Sequence, residues 1–255
     1  MPGHLPSDGR RRFLTGGAAG LAALWATETA RSAALATDAS VSLDQPAPAG
    51  RLTPPPRGPI PVAFVISNGA TVIDFTGPWE VFQDVMIPDR GPSHDEDQMP
   101  FRLFTVADGP APVRVTGGMQ IVPDHTVDDA PAPRVIVIPA HRSSPKMLEW
   151  IRKASATADM TMSVCTGAFP LARTGLLAGR SATTHHDFLD ALAREFPDVR
   201  VERGRRFVES DRIATAGGLT SGMDLALRVV ERYFGRPVAQ TTADYMEYQG
   251  KGWRV

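Results

Sequence analysis

Thr161-Met-Ser-Val-Cys-Thr-Gly-Ala-Phe-Pro170 carries the chain's only cysteine, Cys165, where a β-branched and apolar run meets a small-residue turn. A helix-like segment, Ala168 to Leu177, follows at once. A strand that ends in a cysteine and turns sharply into a helix holds the thiol clear of the sheet, as a nucleophile requires. The free N–H groups of the helix N-terminus are expected to lower the thiol pKa. A lone cysteine also suits a small buried hydrophobe, but the Val-Cys-Thr-Gly setting favours the nucleophile.

Upstream and downstream of this turn, short apolar runs alternate with helical patterns. Pro61-Val-Ala-Phe-Val-Ile-Ser67 and Arg134-Val-Ile-Val-Ile-Pro139 are near-continuous apolar runs, as expected of strands covered on both faces. Further strands are expected at 101–107, 119–122, 181–184, 199–201, 206–209 and 212–216. Helices are expected at 77–86, with Pro78 in its tolerated first turn, and at 145–158, 186–196, 220–234 and 237–249. This alternation predicts an α/β domain with a mostly parallel sheet and helices on both faces. Sites in such sheets form at the carboxyl ends of strands, where Cys165 and the segments after Ile66 and Ile138 fall.

The rest of the chain sets the context. Its 255 residues carry a net charge of −1, and neither a basic field nor a helix-turn-helix pattern points to nucleic acid. One cysteine excludes an intramolecular disulfide and a multi-cysteine zinc site. Residues 1–36 resemble a twin-arginine export signal: Arg10-Arg11-Arg12-Phe13-Leu14, a weakly apolar run, then Ala34-Leu35-Ala36 as a small-x-small cleavage site. The apolar run is short and rich in Gly and Ala, so no membrane span is expected after cleavage; an uncleaved anchor is the competing reading. Removal takes away Arg10, Arg11, Arg12, Arg31, Asp8 and Glu28, leaving a net charge of −3 and a protein expected in the periplasm or outside the cell. Residues 37–59, with six prolines, are expected to be a disordered linker, and residues 60–255 the folded domain.

Cys165 needs a proton partner. Asp74 follows the first strand and precedes its helix, at the same sheet edge, and a carboxyl beside a thiolate would share one proton with it. Capping of a helix that starts near Gly77 is its alternative role. Thr166 offers a hydroxyl and a backbone N–H, or a helix cap. His185 and His186 lie past a strand end, where one is expected to line the cleft. The loop from Pro88 to Pro100, with His94, Asp95, Glu96 and Asp97, lacks a metal-ligand spacing and reads as solvated, so no metal is expected.

Three motifs resemble the DJ-1/PfpI superfamily, and within it the isocyanide hydratase-like branch. They are Asp74-Phe-Thr-Gly-Pro-Trp-Glu-Val-Phe82; Ser163-Val-Cys-Thr-Gly-Ala168 with Gly175-Leu-Leu-Ala-Gly-Arg-Ser-Ala-Thr-Thr-His185; and Thr215-Ala-Gly-Gly-Leu-Thr-Ser-Gly-Met-Asp-Leu-Ala-Leu227. The likeness runs from Val62 to Tyr248. It implies a flavodoxin-like (class I glutamine amidotransferase-like) sandwich, a homodimer, and a lyase that adds water to an isocyanide without metal or organic cofactor. Cys165 is then the nucleophile, Asp74 the acid/base and Thr166 an assistant. Ala140, His141, Gly77 and His185 are expected around the pocket. Two departures stand out. Pro139-Ala-His-Arg142 replaces the family's Pro-Gly-Gly, and the C-terminus reads Lys251-Gly-Trp-Arg-Val255 where the branch tends to be proline-rich. Thr166, where protease-like and glyoxalase-like members commonly have His, argues against those activities. The alternatives are hydrolysis or hydration of another small electrophile such as a 2-oxoaldehyde, or a non-catalytic ligand-binding or redox-sensing module like that of AraC-like regulators.

Overall fold

The computed structural model describes residues 50–55, 58–87 and 99–255. The expected signal and the acidic loop lie outside these residues, as does most of the expected linker. In chain order the elements are β1 (Ile60–Val65), α1 (Val72–Gln83), β2 (Phe101–Ala107), β3 (Val113–Arg114), β4 (Gln120–Ile121), β5 (His125–Thr126), β6 (Val135–Ile138), α2 (Pro145–Ser155) and β7 (Met160–Val164). They continue with α3 (Ala168–Arg173), β8 (Ser181–Ala182), α4 (Leu189–Glu195), β9 (Arg200–Val201), β10 (Phe207–Ser210), β11 (Ile213–Ala216), α5 (Ser221–Phe234) and α6 (Arg236–Tyr245).

Seven strands form one sheet in the order β10-β11-β7-β6-β1-β2-β5. All its pairs are parallel except β10 with β11. Alternate residues of the central strands enter opposite cores, as a period of two demands. On β6, Val135 and Val137 join the core under α1, α5 and α6, whereas Ile136 and Ile138 join the one containing Met147, Ile151 and Leu171 of α2 and α3. The register sets Ile138 beside Ser163 and Ala216 beside Val164. The loops after β6, β7 and β11 therefore emerge side by side at one sheet edge. No helix among the described residues is long and apolar enough to cross a membrane.

Three details differ from the sequence reading. Helix α1 begins at Val72, five residues before the expected start, so Asp74 lies inside its first turn and Pro78 in its interior. Lacking an N–H, Pro78 cannot bond the carbonyl four residues back, which is that of Asp74. The short strands β3 and β5 sit in stretches without a clear apolar period and were not expected. Finally, residues 50–55, assigned to the disordered linker, are docked on the domain. Leu52 N–H donates to the Arg232 carbonyl (2.9 Å), Arg232 Nε donates to the Gly50 carbonyl (2.9 Å), and Arg134 reaches the Thr53 carbonyl (3.0 Å).

Candidate active site

Cys165 has φ +58°, a left-handed conformation that a non-glycine residue adopts at a cost of about 1–3 kcal/mol unless its surroundings enforce it. Here they do. Its N–H donates to the Gly217 carbonyl beyond β11 (2.8 Å), and its carbonyl accepts from Thr184 Oγ1 (2.8 Å) and from the Ala168 N–H. The turn also presses on the end of β6: a Cβ on Gly167 would stand 2.1 Å from the Ile138 carbonyl oxygen. Only glycine fits there, which explains the small residue two places after the cysteine.

Asp74 is fully buried in the first turn of α1 and faces the thiol. A reciprocal pair of backbone contacts fixes it: Thr71 N–H donates to the Ala140 carbonyl (3.0 Å), and Ala140 N–H donates to Asp74 Oδ2 (3.1 Å). Asp74 Oδ1 is buried without a well-formed hydrogen bond among the described residues. Burial raises the Asp74 pKa to about 6, opposed by the Ala140 N–H and by the thiol. Burial, then the Asp74 charge, pushes Cys165 up to about 11, opposed by the backbone N–H groups of Thr166 and Leu219. The expected acidified thiol is therefore not what the structure shows. The N–H donors are present, but desolvation and the neighbouring carboxylate outweigh them. At neutral pH the pair holds one proton, mainly on sulfur, beside an ionised Asp74.

The other expected site residues are placed as follows. Thr166 presents its N–H to the sulfur. Ala140 directs its N–H to Asp74, so it holds that carboxyl in place and is not the free oxyanion donor expected. The His141 ring is turned into its own loop. Its Nδ1–H donates to the Pro139 carbonyl (2.7 Å) and its Nε2 accepts from Ser143 Oγ (2.7 Å), with burial lowering its pKa. This neutral tautomer makes His141 a loop brace. Gly77 packs on α5, where a Cβ would meet Met223 Cγ at 3.0 Å. His185 stacks on His186 (4.3 Å between ring centroids) and lies over Gly218, where a Cβ would be 2.5 Å from the ring. His185, His186 and Asp187 bring their ligand atoms within 4.8 Å of one another, the last two exposed.

Sequence reasoning missed Leu219 and Thr184. Leu219 has φ +49° and turns its N–H toward the sulfur. Its signal was the Gly217-Gly218 pair, a flexible turn at the strand end beside Cys165.

Comparison with known proteins now bears on this geometry. Residues 61–232 match the DJ-1/PfpI family. The chain belongs to the DJ-1/PfpI family. Its sheet and flanking helices are the flavodoxin-like fold of that family. It is 31% identical over 196 residues to an isonitrile hydratase of Pseudomonas putida, covering 73% of this chain and 78% of the relative. It is 26% identical over 201 residues to the HTH-type transcriptional regulator GbdR of Pseudomonas aeruginosa, a match spanning 77% of this chain and 53% of the regulator. Among solved structures, a THiJ/PfpI family protein from Pseudomonas syringae superposes with a TM-score of 0.65 at 27% identity, covering 76% of this chain and 77% of the other.

Proposed function

We propose that this DJ-1/PfpI protein is a cysteine-dependent hydratase that adds water to a small electrophile, an isocyanide, giving an N-substituted formamide. The observation that carries this reading is the enforced left-handed Cys165 set against a buried Asp74, with one proton between them. The likeness to an isonitrile hydratase supports it.

The residues allow a balanced sequence. The thiol proton passes to Asp74, and the thiolate sulfur attacks the terminal carbon of R–N≡C. Asp74 delivers that proton to the same carbon, leaving the thioimidate R–N=CH–S–Cys165. Water then adds to the C=N carbon, with the Asp74 carboxylate taking its proton and passing it to nitrogen. Collapse of R–NH–CH(OH)–S–Cys165 expels the sulfur, which recovers the hydroxyl proton through Asp74. The product is R–NH–CHO. The Thr166 and Leu219 N–H groups stabilise the thiolate as it forms and as it leaves.

A second reading follows from the likeness to GbdR: a ligand-binding module without turnover. Incubation with an alkyl isocyanide separates the two, because a binding module makes no formamide. The proposal includes export by the twin-arginine route to the periplasm or beyond, and a homodimer. Mass spectrometry of the mature N-terminus and sedimentation test these.

A further inference from the structure

Beside the nucleophile lies a cleft of about 340 Å³, a size that suits a small molecule. It adjoins Cys165 through two residues that line it: Thr184, which bonds the Cys165 carbonyl, and Leu219, whose N–H faces the sulfur. Cys165 and Asp74 are not in its wall, so it is an annex to the reacting centre.

The wall is rich in hydrogen-bond donors, and no carboxylate lines it. The hydroxyls of Thr183 and Ser221 belong to residues only 2% and 3% exposed, and neither bonds another described residue. Their oxygens open onto the cleft, where both hydroxyls can donate to a polar ligand. The wall also includes the start of α5, a 14-residue helix whose N-cap, Thr220, makes no side-chain capping bond. The amides of Gly218 and Thr220 have no carbonyl partner among the described residues. The first amides of α5 itself are taken, with Ser221, Gly222 and Met223 donating to the Gly218, Leu219 and Thr220 carbonyls (3.0, 3.1 and 3.2 Å), so the donors left for a negatively charged group are the Gly218 and Thr220 N–H groups in the turn before the helix. Of the two arginines in the wall, Arg206 is held tightly by buried Asp224 (2.5 Å), whereas Arg205 is only loosely paired with Glu202 (3.6 Å).

We infer that this cleft binds a carboxylate group, and that the preferred substrates are isocyanides bearing a carboxylate on the carbon chain. The carboxylate sits against the Gly218 and Thr220 N–H groups and the Ser221 and Thr183 hydroxyls, with Arg205 at the rim, while the isocyanide carbon reaches Cys165 past Leu219. The substrate class rests on the hydratase reading; the carboxylate site itself does not.

The test compares ω-isocyanoalkanoates of increasing chain length with their methyl esters. Wild-type protein should turn over the best acid about tenfold or more faster, as kcat/KM, than its ester. That ratio should fall toward one in Ser221→Ala and in Arg205→Gln, the second chosen because its half-exposed side chain can be replaced without disturbing the core. Acid and ester turned over equally by the wild type would overturn the inference while the hydratase reading stands. If neither is turned over, the hydratase reading fails and the cleft is judged by calorimetry with hexanoate. Saturable binding that Ser221→Ala weakens supports the carboxylate site, and no binding overturns it.

Discussion

The Ala140 N–H donates to Asp74 Oδ2 at 3.1 Å, tying the loop after β6 to the carboxyl group that faces Cys165. The loop after β6 thus fixes the position of that carboxyl group. Its own return contact, Thr71 N–H to the Ala140 carbonyl, locks the start of α1 to the same loop.

Asp74 is buried with its pKa raised to about 6, so its ionised form is penalised in the folded protein. The unfolded chain loses this proton near pH 4 and the folded one only near pH 6, so stability falls across that window and the deficit persists above it. Asp74→Asn should therefore stabilise the protein at pH 7.5 by about 3 kcal/mol and give little gain at pH 4. Urea unfolding at both values checks this, and equal effects at the two would contradict it.

The carboxylate is also one reason the Cys165 thiol sits near 11. Removing its charge increases the thiolate fraction at neutral pH. Alkylation of Cys165 by iodoacetamide at pH 7.5 should be slower than that of a free cysteine, and several-fold faster in Asp74→Asn than in the wild type. A slower reaction in the variant would show that Asp74 activates the resting thiol.

Because the pair must hold one proton to work, kcat/KM should rise as pH passes about 6 and stay level through neutral pH. A pH profile measured from 4.5 to 9 reads this directly. A rise centred near 8.5, the range of an ordinary thiol, would contradict the shared proton.

Much of this site was legible in the sequence. The apolar runs at 61–67 and 134–139 and the turn at Cys165 located the parallel strands, since buried strands have few compositional alternatives. The sheet edge then placed Asp74 near Cys165. The start of α1 was not legible, because Pro78 imitates a first-turn proline while lying within the helix. The direction of the thiol shift was missed because a sequence displays the helix N-terminus but hides the desolvation that opposes it. Nor could a sequence show that His141 bonds its own loop, or that the backbone of Leu219, an apolar residue, faces the sulfur.

Docking of residues 50–55 depends on Arg232, which is 4% exposed and shares Glu209 with the equally enclosed Arg228. Glu209 accepts from both guanidinium groups, at 3.2 and 2.9 Å. Glu209→Ala leaves two buried cations short of their shared partner and should destabilise the domain by about 3 kcal/mol. A loss below 1 kcal/mol in urea unfolding would show that Glu231 and the backbone carbonyls suffice.

Gly167 admits no side chain, because the Ile138 carbonyl fills the space of a Cβ. Gly167→Ala should force the turn away from β6, with a stability loss of about 2–4 kcal/mol and a displaced Cys165. Thermal unfolding together with residual turnover checks both, and a variant of wild-type stability would contradict the packing described.

Formamide production from an alkyl isocyanide, followed by proton NMR, tests the role of the Cys165–Asp74 pair most directly. The wild type should convert the isocyanide to its N-substituted formamide, Cys165→Ala should show none, and Asp74→Asn should be slowed by about 10²-fold or more. Undiminished turnover in Cys165→Ala, or no formamide from the wild type, would contradict the account.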